Sequence, residues 1–164
     1  MPRSIAIMPN AIGYIAGVLL LALSWTDLRD RRLPDPLVAG FGALFLLHAW
    51  LVAMPWDVVA QHVLTACACF AIGTCLYVAG QLGGGDVKLA STLLLWVGAR
   101  AACPTLLLVS LSGLALVLVG VAADRLAPGS TFGHWWSAKR GLPYGVALAI
   151  AGWCALLPPT PING

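Results

Sequence analysis

Six aspartates make up the whole acidic complement of this chain, which contains no glutamate. Two of them stand where a carboxylate can do chemistry. Asp27 follows directly on the apolar run that ends Leu23-Ser24-Trp25-Thr26, and Asp86 follows three consecutive glycines, Gly83, Gly84 and Gly85. Glycines in series open backbone angles closed to other residues and let the chain pass close to a neighbour. They also leave backbone N–H and C=O groups able to pair with an extended peptide, as in strand addition. Read alone, Gly83 to Gly85 are equally well explained as a hinge, and Asp86 as a helix N-cap. The pair says more. Two carboxylates sharing a site do not both ionise readily, so one keeps a proton while the other acts as a base toward water. Such a dyad hydrolyses a peptide bond with no metal, serine or thiol.

Other catalytic sets are missing from the sequence. His48, His62 and His134 are scattered, with no HExxH, GxSxG or Walker pattern around them or elsewhere. The five cysteines, Cys67, Cys69, Cys75, Cys103 and Cys154, lie in or beside apolar runs, and no two have CxxC spacing. They read as small packing residues. No cofactor and no metal is expected, and no Lys/Arg block suggests nucleic acid.

The elements that carry these residues follow from composition. Of 164 residues, 60% are apolar and 9% charged, against roughly 45–50% and 25% in ordinary soluble domains. A water-facing surface cannot be assembled from so little charge, which excludes a soluble enzyme, a disordered chain and a charged tail. The chain is expected in a bilayer as an all-α bundle of about six transmembrane helices, one membrane-embedded domain over residues 1–164. The spans run from residue 5 or 11 to 25, then 37–54, 58–82, a short 87–99, 104–123 and 142–157. Gly40, Gly42, Gly113, Gly120, Gly145 and Gly152 suit close helix packing, where lipid supplies no hydrophobic drive for association. The apolar N-terminal run lacks a small-residue cleavage site and reads as a retained first span.

Basic residues orient the bundle. Arg29, Arg31, Arg32, Lys88, Arg125, Lys139 and Arg140 fall on one side, leaving Arg3 and Arg100 on the other. The richer side is cytoplasmic, so both termini lie outside in the periplasm. Trp25, Trp50, Trp56, Trp96 and Trp153 fall near span ends, as an interfacial belt requires. Trp135 and Trp136 lie in the longest inside connection, about Asp124 to Gly141, and Pro158, Pro159 and Pro161 make an extended tail. In this topology spans one and four both reach the cytoplasmic face. Asp27 and Asp86 can therefore meet although far apart in sequence.

Three segments carry a family resemblance. Asp27-Leu28-Arg29-Asp30-Arg31-Arg32-Leu33-Pro34-Asp35 resembles the first aspartate motif of type IV prepilin peptidases. Gly83-Gly84-Gly85-Asp86-Val87-Lys88-Leu89 resembles their GxGD motif with its following Lys, and Leu142-Pro143-Tyr144-Gly145 resembles the PYG segment opening their last helix. The order and membrane face agree across nearly the whole chain. The resemblance implies an aspartic endopeptidase of the bacterial inner membrane, multi-pass, that cuts the short basic leader from prepilins or pseudopilins. Asp27 and Asp86 would be the catalytic dyad, Gly83, Gly84 and Gly85 the loop that meets substrate, and Lys88 an accessory polar group. The chain has no segment with the paired CxxC cysteines of the larger members, which counts against N-methylation. It resembles the compact, peptidase-only branch associated with tight-adherence (Flp-type) pili, with archaeal preflagellin peptidases also similar.

Helix ends suggest how the two acids divide the work. Asp86 at a helix start meets a dipole that favours the anion, and Asp27 at a helix end meets one that opposes it. Asp86 is thereby expected as the base and Asp27 as the protonated partner. Two other functions use the same residues: a small transporter or channel with the aspartates as proton or cation sites, and a non-catalytic pilus assembly factor. The sequence leaves the oligomeric state and the particular prepilin open.

Overall fold

A computed structural model describes residues 3–30, 32–126 and 144–156. Arg31, the connection with Trp135 and Trp136, the residues Leu142 and Pro143, and the proline-rich tail lie outside the described residues. All regular structure among those described is helical: α1 Arg3–Asp30, α2 Asp35–Leu51, α3 Trp56–Val78, α4 Gly84–Leu126 and α5 Tyr144–Leu156.

Local sequence accounts for the boundaries. Pro36 sits in the first turn of α2, where a missing N–H costs nothing, and Asp35 beside it meets the positive end of the helix. Helices α2 and α3 stop in the same way. Ala53 and Gly80 take positive φ (50° and 72°), and the next residue's N–H turns back to a carbonyl five residues earlier: Met54 to Ala49 and Gln81 to Leu76, both at 2.9 Å. This 6→1 closure satisfies carbonyls that a helix end otherwise leaves bare.

The sequence-based spans four and five emerge as two arms of α4. A straight helix of its 43 residues would be about 65 Å long, roughly twice a ~30 Å hydrocarbon layer. It breaks at Gly98, whose φ of 68° and ψ of −178° leave the helical region. Residues 86–94 and 106–117 of the two arms line one cavity together. His62 of α3 is seated on the break, with Nδ1 2.8 Å from the Leu95 carbonyl. A Cβ on Gly98 would lie 2.6 Å from His62 Nε2, so only glycine lets the imidazole in.

The buried core joins α1, α2, the first arm of α4 and α5 through Leu20, Leu23, Phe41, Phe45, Leu89, Leu93 and Leu148. Trp96 closes it near the break, stacked on Phe41 and donating Nε1–H to that residue's carbonyl at 2.9 Å. Helix α3 packs on α4 from outside, and Gly73 is its one buried residue. Trp50, Trp56, Leu64, Val78, Leu107 and Leu118 face outward. Stretches 11–30, 56–78 and 84–123 are long and apolar enough to cross a bilayer, whereas α2 and α5 are shorter apolar helices. An exterior this apolar belongs in lipid.

Candidate active site

Helices α1 and α5 run antiparallel in a register set by small residues. Leu20 and Asp27, seven apart on α1, face Gly152 and Gly145, seven apart on α5. A Cβ on Gly152 would come within 2.7 Å of Leu20 Cδ1, and one on Gly145 within 2.8 Å of both Cβ and Oδ2 of Asp27. Farther along, Gly17 accepts the Trp153 ring equally closely. The crossing thereby carries Asp27 to the start of α5. It is buried there, 6% exposed, and accepts the Gly145 backbone N–H on Oδ2 at 2.8 Å.

Asp86 belongs to α4 and does not precede it, because the helix starts at Gly84. The Val87 N–H reaches the Gly83 carbonyl at 3.1 Å, which makes Gly83 the N-cap and Asp86 the third helical residue. From there the Asp86 carboxylate accepts a hydrogen bond from the Gly83 backbone, half of a capping box. Gly84 and Gly85 are therefore helical, in a first turn whose N–H groups need no intrahelical partner. The glycines differ in tightness. A Cβ on Gly83 would sit 2.6 Å from Asp86 Oδ2 and one on Gly85 3.1 Å from Leu33 Cβ, while one on Gly84 meets Tyr77 at an ordinary 3.5 Å.

The fold brings the two acids together: the Asp27 and Asp86 carboxyl groups lie within electrostatic range of each other. Asp86 and Tyr144, the neighbour of Gly145, line one cavity of about 760 Å³. Its other walls are nearly all apolar, from Ala68, Ile72 and Leu76 of α3 to Val109, Leu114 and Val117 of α4.

Lys88 lies two residues beyond Asp86, where its Nζ meets Asp35 Oδ1 at 2.7 Å. The pair fastens the start of α2 to the start of α4, and Leu33 covers Gly85 beside it. A second cavity of about 520 Å³ opens against Lys88 and Asp35. Arg29 is 3.8 Å from Asp30 on the surface, a contact worth little.

In the sequence Gly145 stands out only as a close-packing glycine and as part of the PYG resemblance, although it bonds Asp27 directly. The signal was a glycine at the start of an apolar helix, and its use depends on an inter-helix register that sequence does not display. Its position also alters the expected division of work. Asp27 does stand near the end of α1, but the start of α5 faces it, so a helix dipole no longer singles out Asp86 as the anion.

The family model for the type IV leader peptidase family matches residues 14–118. Among curated proteins, the prepilin leader peptidase/N-methyltransferases of Aeromonas hydrophila and Aeromonas salmonicida are each 36% identical over 160 residues. The alignments cover 88% of this chain and 50% of theirs. This chain thus spans about half the length of those relatives. No solved structure gives a significant match.

Proposed function

This chain belongs to the type IV leader peptidase family, and from that premise we propose that it is an aspartic endopeptidase acting on prepilins or pseudopilins of the Flp type. It works at the cytoplasmic face of the bacterial inner membrane and removes a short basic leader. The observation that carries the reading is the convergence of Asp27 and Asp86, from helices far apart in the chain, within electrostatic range.

The chemistry follows from two carboxyls at one site. The ionised one takes a proton from water as the oxygen attacks the scissile carbonyl carbon. The protonated one donates its hydrogen bond to the carbonyl oxygen, where negative charge develops. Collapse of the tetrahedral intermediate breaks the C–N bond, and the proton taken from water passes to the leaving amine. Neither acid needs a metal for these steps. The unpaired N–H groups of Gly84 and Gly85 at the start of α4 suit the carbonyls of an extended peptide, and Lys88 with Asp35 steadies that helix start.

Cleavage by the purified protein of a peptide with a basic leader, a glycine and an apolar stretch tests the reading. Asp27→Asn and Asp86→Asn should each lower kcat at least about 1,000-fold, as losing one member of a catalytic unit does. Cleavage by either variant at near wild-type rate would remove the dyad. A folded wild type that never cleaves would return the protein to the transporter or assembly-factor classes.

A further inference from the structure

Asp27 is almost wholly buried, and a buried carboxyl needs donors to replace water. One of them is supplied by α5. The Gly145 N–H lies in the first turn of that helix, where a backbone N–H has no acceptor of its own, and it meets Asp27 Oδ2 at 2.8 Å. The three atoms nearest a Cβ placed on Gly145 all belong to the same carboxyl-bearing side chain: Asp27 Cβ and Oδ2 at 2.8 Å and Cγ at 2.9 Å. Any side chain at position 145 therefore pushes on Asp27 itself. A carboxyl group is planar, so fixing Oδ2 also fixes the direction in which Oδ1 points. Gly83 stands in the same relation to Asp86, through a backbone hydrogen bond and a Cβ position 2.6 Å from Oδ2.

We propose that Gly145, outside the segment matched by the family model, is a positioning residue for hydrolysis. Its N–H holds the Asp27 carboxyl in the orientation that reaches water and the scissile carbonyl, and its missing Cβ makes the approach possible. The C-terminal helix is thus part of the catalytic site and not merely a wall of the bundle. The proposal rests on the reading of Asp27 as catalytic. A donor on the main chain cannot be displaced by a change of rotamer, which suits a group that must be aimed before substrate arrives.

The test uses the full chain in detergent with the leader-peptide substrate and separates donor from space. In one variant an ester replaces the amide at residue 145, which exchanges N–H for oxygen and adds no atoms. The second is Gly145→Ala, which keeps the N–H and adds the Cβ. Gly152→Ala is the packing control, since it crowds Leu20 of α1 and Leu93 of α4. The ester should lower kcat about 10-fold with KM within twofold and the Tm unchanged. Gly145→Ala should lower kcat about 100-fold, the scale of a misplacement near 1 Å. Gly152→Ala should lower the Tm at least as much as Gly145→Ala does, with a far smaller fall in kcat because it crowds no atom of Asp27. An ester variant with wild-type kcat, or losses in all three that simply track Tm, would overturn the proposal. Asp27→Asn is assayed in parallel: if it still cleaves, the dyad reading fails, whereas an inactive Asp27→Asn beside fully active Gly145 variants condemns this inference alone.

Discussion

Gly83 and Gly84 are adjacent, yet the space around them gives opposite expectations for the same substitution. At Gly83 a Cβ would sit 2.6 Å from Asp86 Oδ2 and drive that carboxylate off its own cap. At Gly84 it would only touch the Tyr77 ring, and alanine there also favours the helical first turn. Gly83→Ala should thus lower kcat about 10- to 100-fold, while Gly84→Ala costs a few-fold at most, measured as initial rates on the leader peptide. Equal effects at the two positions would show that the run works as a flexible hinge. Asp27 and Asp86 stood out as candidates in the sequence because a carboxylate is expensive near lipid and this chain has only six. The individual roles of the glycines were not, since identical residues differ only in what surrounds them.

Between residues and bundle stand the helix ends. The closures after α2 and α3 share one geometry but use different residues at the left-handed position, Ala53 and Gly80. An L side chain there costs about 1–2 kcal/mol. Gly80→Ala should therefore lower stability by about 1 kcal/mol, whereas Ala53→Gly should raise it by a similar or smaller amount. Thermal unfolding in one detergent reads both as Tm shifts of opposite sign, and shifts of the same sign would contradict the assignment. Helix ends lie within about five residues of the expected spans, α1 running on to Asp30 and α4 starting three residues early at Gly84. Gly83 to Gly85 resemble a loop in any sequence reading; the hydrogen bond that the Gly83 backbone donates to the Asp86 carboxylate lets the helix begin earlier. A break between the two arms was visible as a gap at residues 100–103, but it falls at Gly98, inside the expected fourth span, and the part played by His62 was hidden. A lone histidine reads as packing until the Leu95 carbonyl it meets is known.

The whole molecule brings residues 27, 86 and 145, spread along an apolar chain, to one place. Composition alone predicted the membrane, and the outward-facing tryptophans, leucines and valines agree with it. What composition could not express is that α1, α4 and α5 share the site while α3 lies outside the core. That arrangement depends on the antiparallel register of α1 with α5, set by Gly17, Gly145 and Gly152, and on the core formed by Leu20, Leu23, Leu89 and Leu148. The segment matched by the family model, residues 14–118, carries both acids and stops short of the helix that bonds one of them. The central claim is that Asp27 and Asp86 act as one unit, and a double-mutant cycle on kcat for leader-peptide cleavage tests it most directly. If they are one unit, Asp27→Asn, Asp86→Asn and the double variant should all lose about the same factor, at least ~1,000-fold. Losses that multiply in the double variant would mean two independent groups and contradict the account.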